Sequence, residues 1–223
     1  MIRKRITIFA GNYGSGKTEL AINYALRLKS EGGQVVLADL DVVNPYFRSR
    51  EKNEFLKEKG IEVIFPARLA KADLPVISAD VKKIIQNKDL KGIFDVGGDD
   101  DGAVALGSVS RKLKKSDYEM SLVVNTMRPF TSKLDGIVKM KNMIEKNGKL
   151  SFDNIICNIN LGRETKLEHI KKGYPLVKEA SEKLDLPIKY LVVMKKLLPL
   201  PEDFIINEKI FPIDIFMKQP WEK

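Results

Sequence analysis

The 223-residue sequence is poor in side chains that bind metals or form disulfide bonds, with one cysteine and one histidine. A single cysteine excludes a disulfide bond within the chain, and the two residues together cannot form a Cys/His metal cage. A catalytic Ser–His or Cys–His pair would have to use His169, which lies in the charged segment 166–172. A solvated helix face explains that segment better, so we do not expect hydrolysis of the serine or cysteine type.

Long apolar runs are also missing from the sequence. No segment approaches the roughly 18 apolar residues that are needed to span a bilayer. The basic start of the chain, residues 1–5, leads directly into a short apolar run, whereas a signal peptide would need a longer one. We therefore expect a cytoplasmic protein that does not enter the membrane.

The charge is unevenly balanced, with 39 basic and 30 acidic residues and a formal net charge of +9. The charges are mixed along segments such as 48–59 and 139–149, and there is no long basic block. The chain also lacks the aromatic and basic platform that is typical of RNA-binding modules. We interpret the charge as a lysine-rich surface that partly balances bound phosphate, and we do not expect a nucleic-acid partner.

Short apolar runs rich in β-branched residues alternate along the chain with segments of helical spacing. The predicted strands are 6–10, 34–39, 61–65, 92–95, 121–124, 154–157 and 188–193. The predicted helices are 18–30, 47–59, 103–115, 132–147 and 166–184. This alternation predicts one α/β domain over residues 1–223, in three layers, with a mostly parallel sheet and helices on both faces. The tail from about 198 to 223 is expected to pack on this domain or on a partner.

A Walker A pattern follows the first predicted strand and opens the first predicted helix, which is the context that this pattern requires. It consists of Gly11, Asn12, Tyr13, Gly14, Ser15, Gly16, Lys17 and Thr18. Glycines allow the backbone to curl so that successive amides point at phosphate oxygens, and the helix adds its positive N-terminal end. We predict that Lys17 contacts the β- and γ-phosphates and that the Thr18 hydroxyl binds Mg²⁺.

Carboxylates stand at the ends of two further predicted strands. Asp95 ends one apolar strand and is followed by Gly97 and Gly98, so we predict that it binds Mg²⁺ directly or through water. Asp39 and Asp41 close the second strand, where alternate residues face the same side. The sequence therefore predicts a metal-assisted phosphate site built from these residues.

With a Walker A loop, an Asp-x-Asp strand end and an Asp-x-x-Gly strand end in this order, the chain resembles the CobQ/CobB/MinD/ParA nucleotide-binding family, part of the SIMIBI class of P-loop NTPases. The resemblance covers residues 6–194 and implies the P-loop NTPase fold, ATP binding, nucleotide-dependent homodimers and a strand carrying Asp95 beside the P-loop strand. It also implies that Asp39 holds the water shell of Mg²⁺ and that Asp41 orients or deprotonates the attacking water. Asn158, and after it Asn160, occupies the place of an asparagine that contacts adenine.

The chain departs from this family at one position of the loop. ParA and MinD carry a signature lysine that reaches the partner's nucleotide, and this sequence has Asn12 there. Arg48 or Arg50 could supply the missing positive charge, or both could be surface arginines at the start of a helix.

A second motif, in residues 131–136, looks at first like the guanine-binding motif of GTPases. It stands too far behind its strand for that role. We interpret it as a helix start, with Thr131 or Ser132 as the N-cap and Asp135 in the first turn. We therefore expect ATP rather than GTP.

Three functions fit these features. The first is a slow Mg-dependent ATPase, a hydrolase that acts as a switch or as a maturation factor for a protein client and signals through segments 41–50 and 97–102. The second is a small-molecule kinase or an ATP-dependent ligase-type enzyme, with an acceptor pocket near Asp41 and Asn44. The third is a DNA- or surface-positioning ATPase that uses the net positive charge.

Overall fold

The computed structural model describes residues 4–40, 52–65, 79–98, 100–202, 204 and 206–217. Within these residues there are eight strands, six α-helices and two short 3-10 helices. The strands are β1 (Ile6–Ala10), β2 (Gln34–Asp39), β3 (Glu62–Ile64), β4 (Leu90–Val96), β5 (Tyr118–Val124), β6 (Asn154–Cys157), β7 (Ile188–Met194) and β8 (Lys209–Ile213). The helices are α1 (Lys17–Ser30), α2 (Asn53–Glu58), α3 (Ala79–Gln86), α4 (Asp100–Leu113), α5 (Leu134–Gly148) and α6 (Leu167–Leu184).

All eight strands form one parallel sheet with the order β3-β2-β4-β1-β5-β6-β7-β8. The strand β1 lies in the interior of the sheet between β4 and β5. The chain moves from β1 toward one edge and later returns to continue toward the other. The order therefore reverses around β1, and ligands of open α/β sheets bind at the carboxyl ends of the strands beside such a reversal.

Helices cover both faces of the sheet. Neighbouring residues of its central strands face opposite sides, and the apolar residues on each side form a separate core. Ile8 belongs to the larger apolar core, whereas Phe9 belongs to a second one on the other face. The second core is filled by α1 and α2, and the larger one by α3, α4, α5 and α6, through residues such as Leu20, Leu56, Ile84, Leu106, Met140 and Val177. The predicted three-layer α/β architecture is confirmed.

The helix α1 has the apolar face that its sequence predicts. Its buried face contains Leu20, Ala21, Tyr24, Ala25 and Leu28, and all five belong to the core that includes Phe9. The Tyr24 ring meets the Phe9 ring edge to face, with the ring centres 5.4 Å apart. This packing attaches the helix that follows the Gly-rich loop to the strand that precedes it.

Several boundaries differ from the sequence predictions. The helix α3 was not predicted, because its apolar residues Val81, Ile84 and Ile85 repeat at helical spacing over only eight residues. The predicted cap of α5 is wrong: the N-cap position is Lys133 rather than Thr131 or Ser132. The Thr131 hydroxyl instead donates to the carbonyl of Asn125 at 2.6 Å, so a tertiary contact uses the group that could have capped the helix.

The tail forms β8, a strand that was not predicted from the sequence. This strand pairs with β7 at the edge of the sheet, and the exposed Pro212 lies within it. The chain then crosses α1, where the Asn23 side chain donates to the Asp214 carbonyl and accepts from the Asp214 amide, each at 2.9 Å. Proline has no N–H to donate, which restricts it to edge strands such as this one.

None of the helices formed by the described residues is long and apolar enough to cross a lipid bilayer.

Candidate functional site

The loop between β1 and α1 depends on glycine at specific positions. Gly14 and Gly16 have φ angles of 72° and 82°, in the left-handed region that other residues rarely adopt. A Cβ atom on Gly11 would lie 2.3 Å from the Val123 carbonyl oxygen. Inside the loop, the Ser15 amide donates to the Asn12 carbonyl at 3.1 Å. These constraints produce the tight curl that the Walker A pattern predicts.

No side chain of the N-cap residue caps the first backbone amides of α1. Gly16 occupies the N-cap position and has no side chain with which to cap the helix. The first hydrogen bond of the helix runs from the Leu20 amide to the Gly16 carbonyl at 3.0 Å. Because the first amides of a helix carry a partial positive charge, this end of α1 is suited to an anion.

Lys17 bends back over the loop that precedes it. Its Nζ donates to the Asn12 carbonyl at 3.1 Å, and the side chain is buried. The ammonium group is therefore held beside the loop. The backbone amide of Asn12 donates to the Met140 sulfur, and the Tyr13 side chain is exposed.

Two of the predicted metal-site carboxylates lie on neighbouring strands, and one of them contacts the start of α1. Asp39 is the last residue of β2 and Asp95 is the last but one of β4; the two are directly opposite each other in the sheet register and are both buried. The Thr18 hydroxyl donates to Asp95 Oδ2 at 2.6 Å. Thr18 and Asp95, which are far apart in sequence, thus bring oxygen atoms together, and Asp39 lies opposite Asp95 on the neighbouring strand.

These oxygen atoms fit a magnesium ion. Mg²⁺ prefers oxygen ligands and is usually held by one or two carboxylates together with water and substrate phosphates. Among the described residues no group of three or more His, Cys, Asp and Glu side chains could hold a metal by itself. The Thr18 hydroxyl, the Asp95 carboxylate bonded to it and the Asp39 carboxylate on the neighbouring strand are oxygen groups of the kind that would hold such an ion.

The segment after Asp95 approaches the loop closely at Gly98. A Cβ atom there would lie 2.1 Å from the Gly11 carbonyl oxygen and 2.7 Å from the Asn12 Cα. The segment that joins β4 to α4 therefore contacts the start of the Walker A loop. A side chain at position 98 would push the two apart.

Asn158 lies behind the loop rather than in the open. The side chain is 2% exposed, and its Nδ2 donates to the Ser15 carbonyl at 2.7 Å. Asn160 donates to the Asn158 carbonyl at 2.8 Å. The structure thus assigns Asn158 a supporting contact that the sequence did not predict, and its contact with adenine stays a prediction.

Two further residues support the loop, and neither was predicted from the sequence. Asn125 Nδ2 and Arg128 Nε donate to the Gly14 carbonyl, at 3.1 Å and 3.0 Å. Both follow β5, which pairs directly with β1. A polar residue at the end of the strand beside the P-loop strand was the available signal, but it could be recognised only with the strand order known.

Several predicted residues lie outside the described part of the chain. These are Asp41, Asn44, Arg48 and Arg50. Their roles stay predictions.

One side chain on α1 and one on β6 have pKa values that burial raises. Burial raises the pKa of Glu19 from 4.5 to about 6, although amide hydrogen bonds from Phe216 and Met217 and the charge of Arg163 act in the opposite direction. Burial also raises the pKa of the Cys157 thiol, in agreement with its interpretation as a small buried apolar residue.

Solved structures of FtsY proteins share this fold. The cell division protein FtsY of Thermotoga maritima is 25% identical with a TM-score of 0.56, covering 84% of this chain and 61% of that chain. FtsY of Mycoplasma mycoides is 18% identical with a TM-score of 0.55, covering 84% and 59%. Chloroplast FtsY of Physcomitrella patens is 20% identical with a TM-score of 0.56, covering 85% and 58%. This chain therefore spans between 58% and 61% of the length of these structures.

The chain has the P-loop NTPase fold. FtsY proteins are SIMIBI-class P-loop NTPases, so the comparison agrees with the class that the motifs resemble, at the level of the fold. It does not confirm the CobQ/CobB/MinD/ParA family within that class. No protein-family model and no curated protein sequence matches the chain.

Proposed function

We propose that this protein is a Mg-dependent nucleoside triphosphatase that binds ATP and acts as a slow, nucleotide-dependent switch or maturation factor for a protein client. The observation that carries the proposal is the 2.6 Å hydrogen bond between Thr18 Oγ1 and Asp95 Oδ2. It joins the end of a phosphate-binding loop to the end of the neighbouring strand. A Gly-rich turn without a ligand would not need these oxygen atoms together.

The surrounding groups have complementary tasks in this proposal. The first amides of α1 and the Lys17 ammonium bind the polyphosphate, because both present positive charge to it. Thr18 and Asp95 take places on Mg²⁺, directly or through water, and Asp39 holds the water shell. When bound, the ion neutralises charge on the phosphate oxygens. Asp41 orients or deprotonates the attacking water.

The preference for ATP over GTP is part of the proposal. It is supported by the position of the segment that resembles a guanine motif. Thr131 in that segment is 1% exposed, and its hydroxyl donates to a backbone carbonyl after β5. Asp135 lies in the first turn of α5. Both residues therefore have local structural tasks.

The switch role is supported by the contact at Gly98. The segment between Asp95 and α4 lies between a predicted metal ligand and a helix, and it touches the loop at Gly11. A change at the γ-phosphate can therefore displace the start of α4. In nucleotide-dependent switches, such a change in one segment signals which nucleotide is bound. A cytoplasmic location, a homodimer and a protein client are further parts of the proposal.

Calorimetry with MgATP and with MgGTP tests this function. We expect the wild-type protein to bind MgATP more tightly than MgGTP. Lys17→Ala should weaken nucleotide binding by about a hundredfold, because a contact between a buried charge and a phosphate is lost. Lys112→Ala is the matched control, since this exposed lysine lies in the last turn of α4. Asp39→Asn should keep most of the binding and slow hydrolysis. Absence of heat with both nucleotides in the wild type would refute the proposal.

A further inference from the structure

The carbonyl of Gly14 is held by two side chains from the segment after β5. Asn125 Nδ2 and Arg128 Nε both donate to this one oxygen atom. A Cβ atom on Gly14 would lie 2.7 Å from Arg128 Nε and 3.1 Å from Cζ. The guanidinium group therefore lies directly against the loop, at a place that only glycine leaves open.

This contact constrains the shape of the loop. The Gly14 carbonyl and the Ser15 amide belong to one planar, trans peptide unit, so they point in opposite directions. The amide donates to the Asn12 carbonyl at 3.1 Å, and Lys17 Nζ donates to that same carbonyl. Holding the Gly14 carbonyl therefore fixes the peptide unit that closes the turn between Asn12 and Ser15.

The support behind Arg128 is itself well fixed. Asn125 is fully buried, and its Oδ1 accepts from the amides of Met127 and Asn160 at 3.0 Å and 3.1 Å. Its Nδ2 also donates to the Asn160 carbonyl at 2.9 Å. The ends of β5 and β6 are thus tied together beneath the loop. Arg128 is partly buried and is more accessible to substitution than Asn125.

We propose that Arg128 is a positioning residue for phosphate binding, which acts by holding the Gly14 carbonyl together with Asn125. This inference rests on the proposed nucleotide-binding function. Because a hydrogen bond from a charged donor is stronger than a neutral one, an arginine restrains the loop more firmly than a second amide would. Arg128 keeps the loop in the shape that accepts a polyphosphate.

Two substitutions with side chains of nearly equal length separate the effect of the hydrogen bond from the effect of the charge. Glutamine places an amide nitrogen at the same number of bonds from Cα as arginine Nε, so Arg128→Gln keeps a donor and removes the charge. Arg128→Met places a methyl group there and removes both. The exposed Arg111 in the last turn of α4 provides the control Arg111→Met, which loses the same charge away from the loop.

Amide hydrogen exchange of residues 14–18, measured without nucleotide, is the first readout. We expect Arg128→Met to accelerate exchange about tenfold, the change expected from losing one charge-assisted hydrogen bond. Arg128→Gln should stay within about threefold of the wild type, because a neutral hydrogen bond is weaker but still present. Arg111→Met should leave the exchange unchanged. This readout tests the restraint of the loop by Arg128 separately from nucleotide binding, so a failure of the proposed function and a failure of this inference give different results.

Dissociation constants for Mg-ATP and for AMP are the second readout. Arg128→Met should weaken the triphosphate about tenfold and AMP much less, because the restrained loop contacts the polyphosphate. Wild-type exchange and affinity in Arg128→Met would overturn the inference. So would equal impairment of the glutamine and methionine variants, since charge alone would then matter. A variant with lower global stability but normal exchange at residues 14–18 would also contradict it.

Discussion

Glu19 provides a prediction whose size can be worked out from the structure. Its carboxylate lies one residue beyond Thr18 and accepts the amides of Phe216 and Met217, at 2.7 Å and 3.1 Å. Burial raises its pKa from 4.5 to about 6. A pKa difference of about 1.5 corresponds to about 2 kcal/mol of preference for the protonated form in the folded state.

The direction of the pH effect follows from the raised pKa. The folded protein binds this proton more tightly than the unfolded chain does. The stabilisation from Glu19 is therefore fully present below pH 4.5 and is lost as the pH rises through about 6. Between pH 7.5 and pH 5 the folded state should gain about 1.3 kcal/mol from this group alone.

The substitution Glu19→Gln isolates this contribution. Glutamine does not titrate, and its single carbonyl oxygen can keep one of the two amide contacts, so the lost contact costs about 1 kcal/mol at every pH. The free energy of unfolding of the wild type, minus that of the variant, should rise by about 1.3 kcal/mol from pH 7.5 to pH 5.

Urea denaturation followed by circular dichroism measures this difference at several pH values. The matched control is Glu182→Gln, which changes an exposed carboxylate on α6. Its difference from the wild type should vary little over this pH range. A difference for Glu19→Gln that stays constant between pH 7.5 and pH 5 would refute the reasoning, because the carboxylate would then titrate alike in the folded and unfolded states.

Two further predictions concern close contacts away from Glu19. Gly98→Ala should destabilise the fold by about 1–3 kcal/mol and weaken nucleotide binding, because its methyl group would meet the Gly11 carbonyl. The control Gly107→Ala places a methyl group 2.4 Å from the Asn147 carbonyl oxygen, at the contact between α4 and α5. It should destabilise the fold without altering the affinity for nucleotide. Equal nucleotide affinities of the Gly98→Ala and Gly107→Ala variants would contradict the role assigned to Gly98. Arg5→Met should lower the free energy of unfolding by about 2 kcal/mol, measured by urea denaturation, because its guanidinium donates to four backbone carbonyls at and beyond the end of α3. An unchanged midpoint would argue against that capping role.

The parts of the site that the sequence predicted are those that depend on local pattern. The glycines of the Walker A loop specify a backbone shape that neighbouring residues alone can form. The buried strands that carry Asp39 and Asp95 near their carboxyl ends are recognisable as short apolar runs. Because parallel strands end at one edge, their carboxylates were expected near the loop, and the structure places Asp95 against Thr18 and Asp39 opposite Asp95.

The parts that escaped prediction depend on strand order and on long-range partners. Arg128 contacts Gly14 across 114 positions of sequence, and this contact exists only because β5 lies beside β1. Pro212 argues against a strand unless that strand is at an edge, and the position of β8 follows from pairing with β7. One local contact escaped prediction as well: Thr131 resembled a cap, but its hydroxyl donates to a carbonyl only six residues earlier.

The proline in β8 has a consequence for how copies of the protein can meet. The outer rim of a sheet is normally a template on which another chain can continue the ladder. Here Pro212 removes a donor from one rim, and at the other rim β3 is only three residues long. Joining of two sheets into a larger one is therefore disfavoured at both sides. Among the described residues, helix surfaces and loops are therefore better suited to self-association than the edges of the sheet.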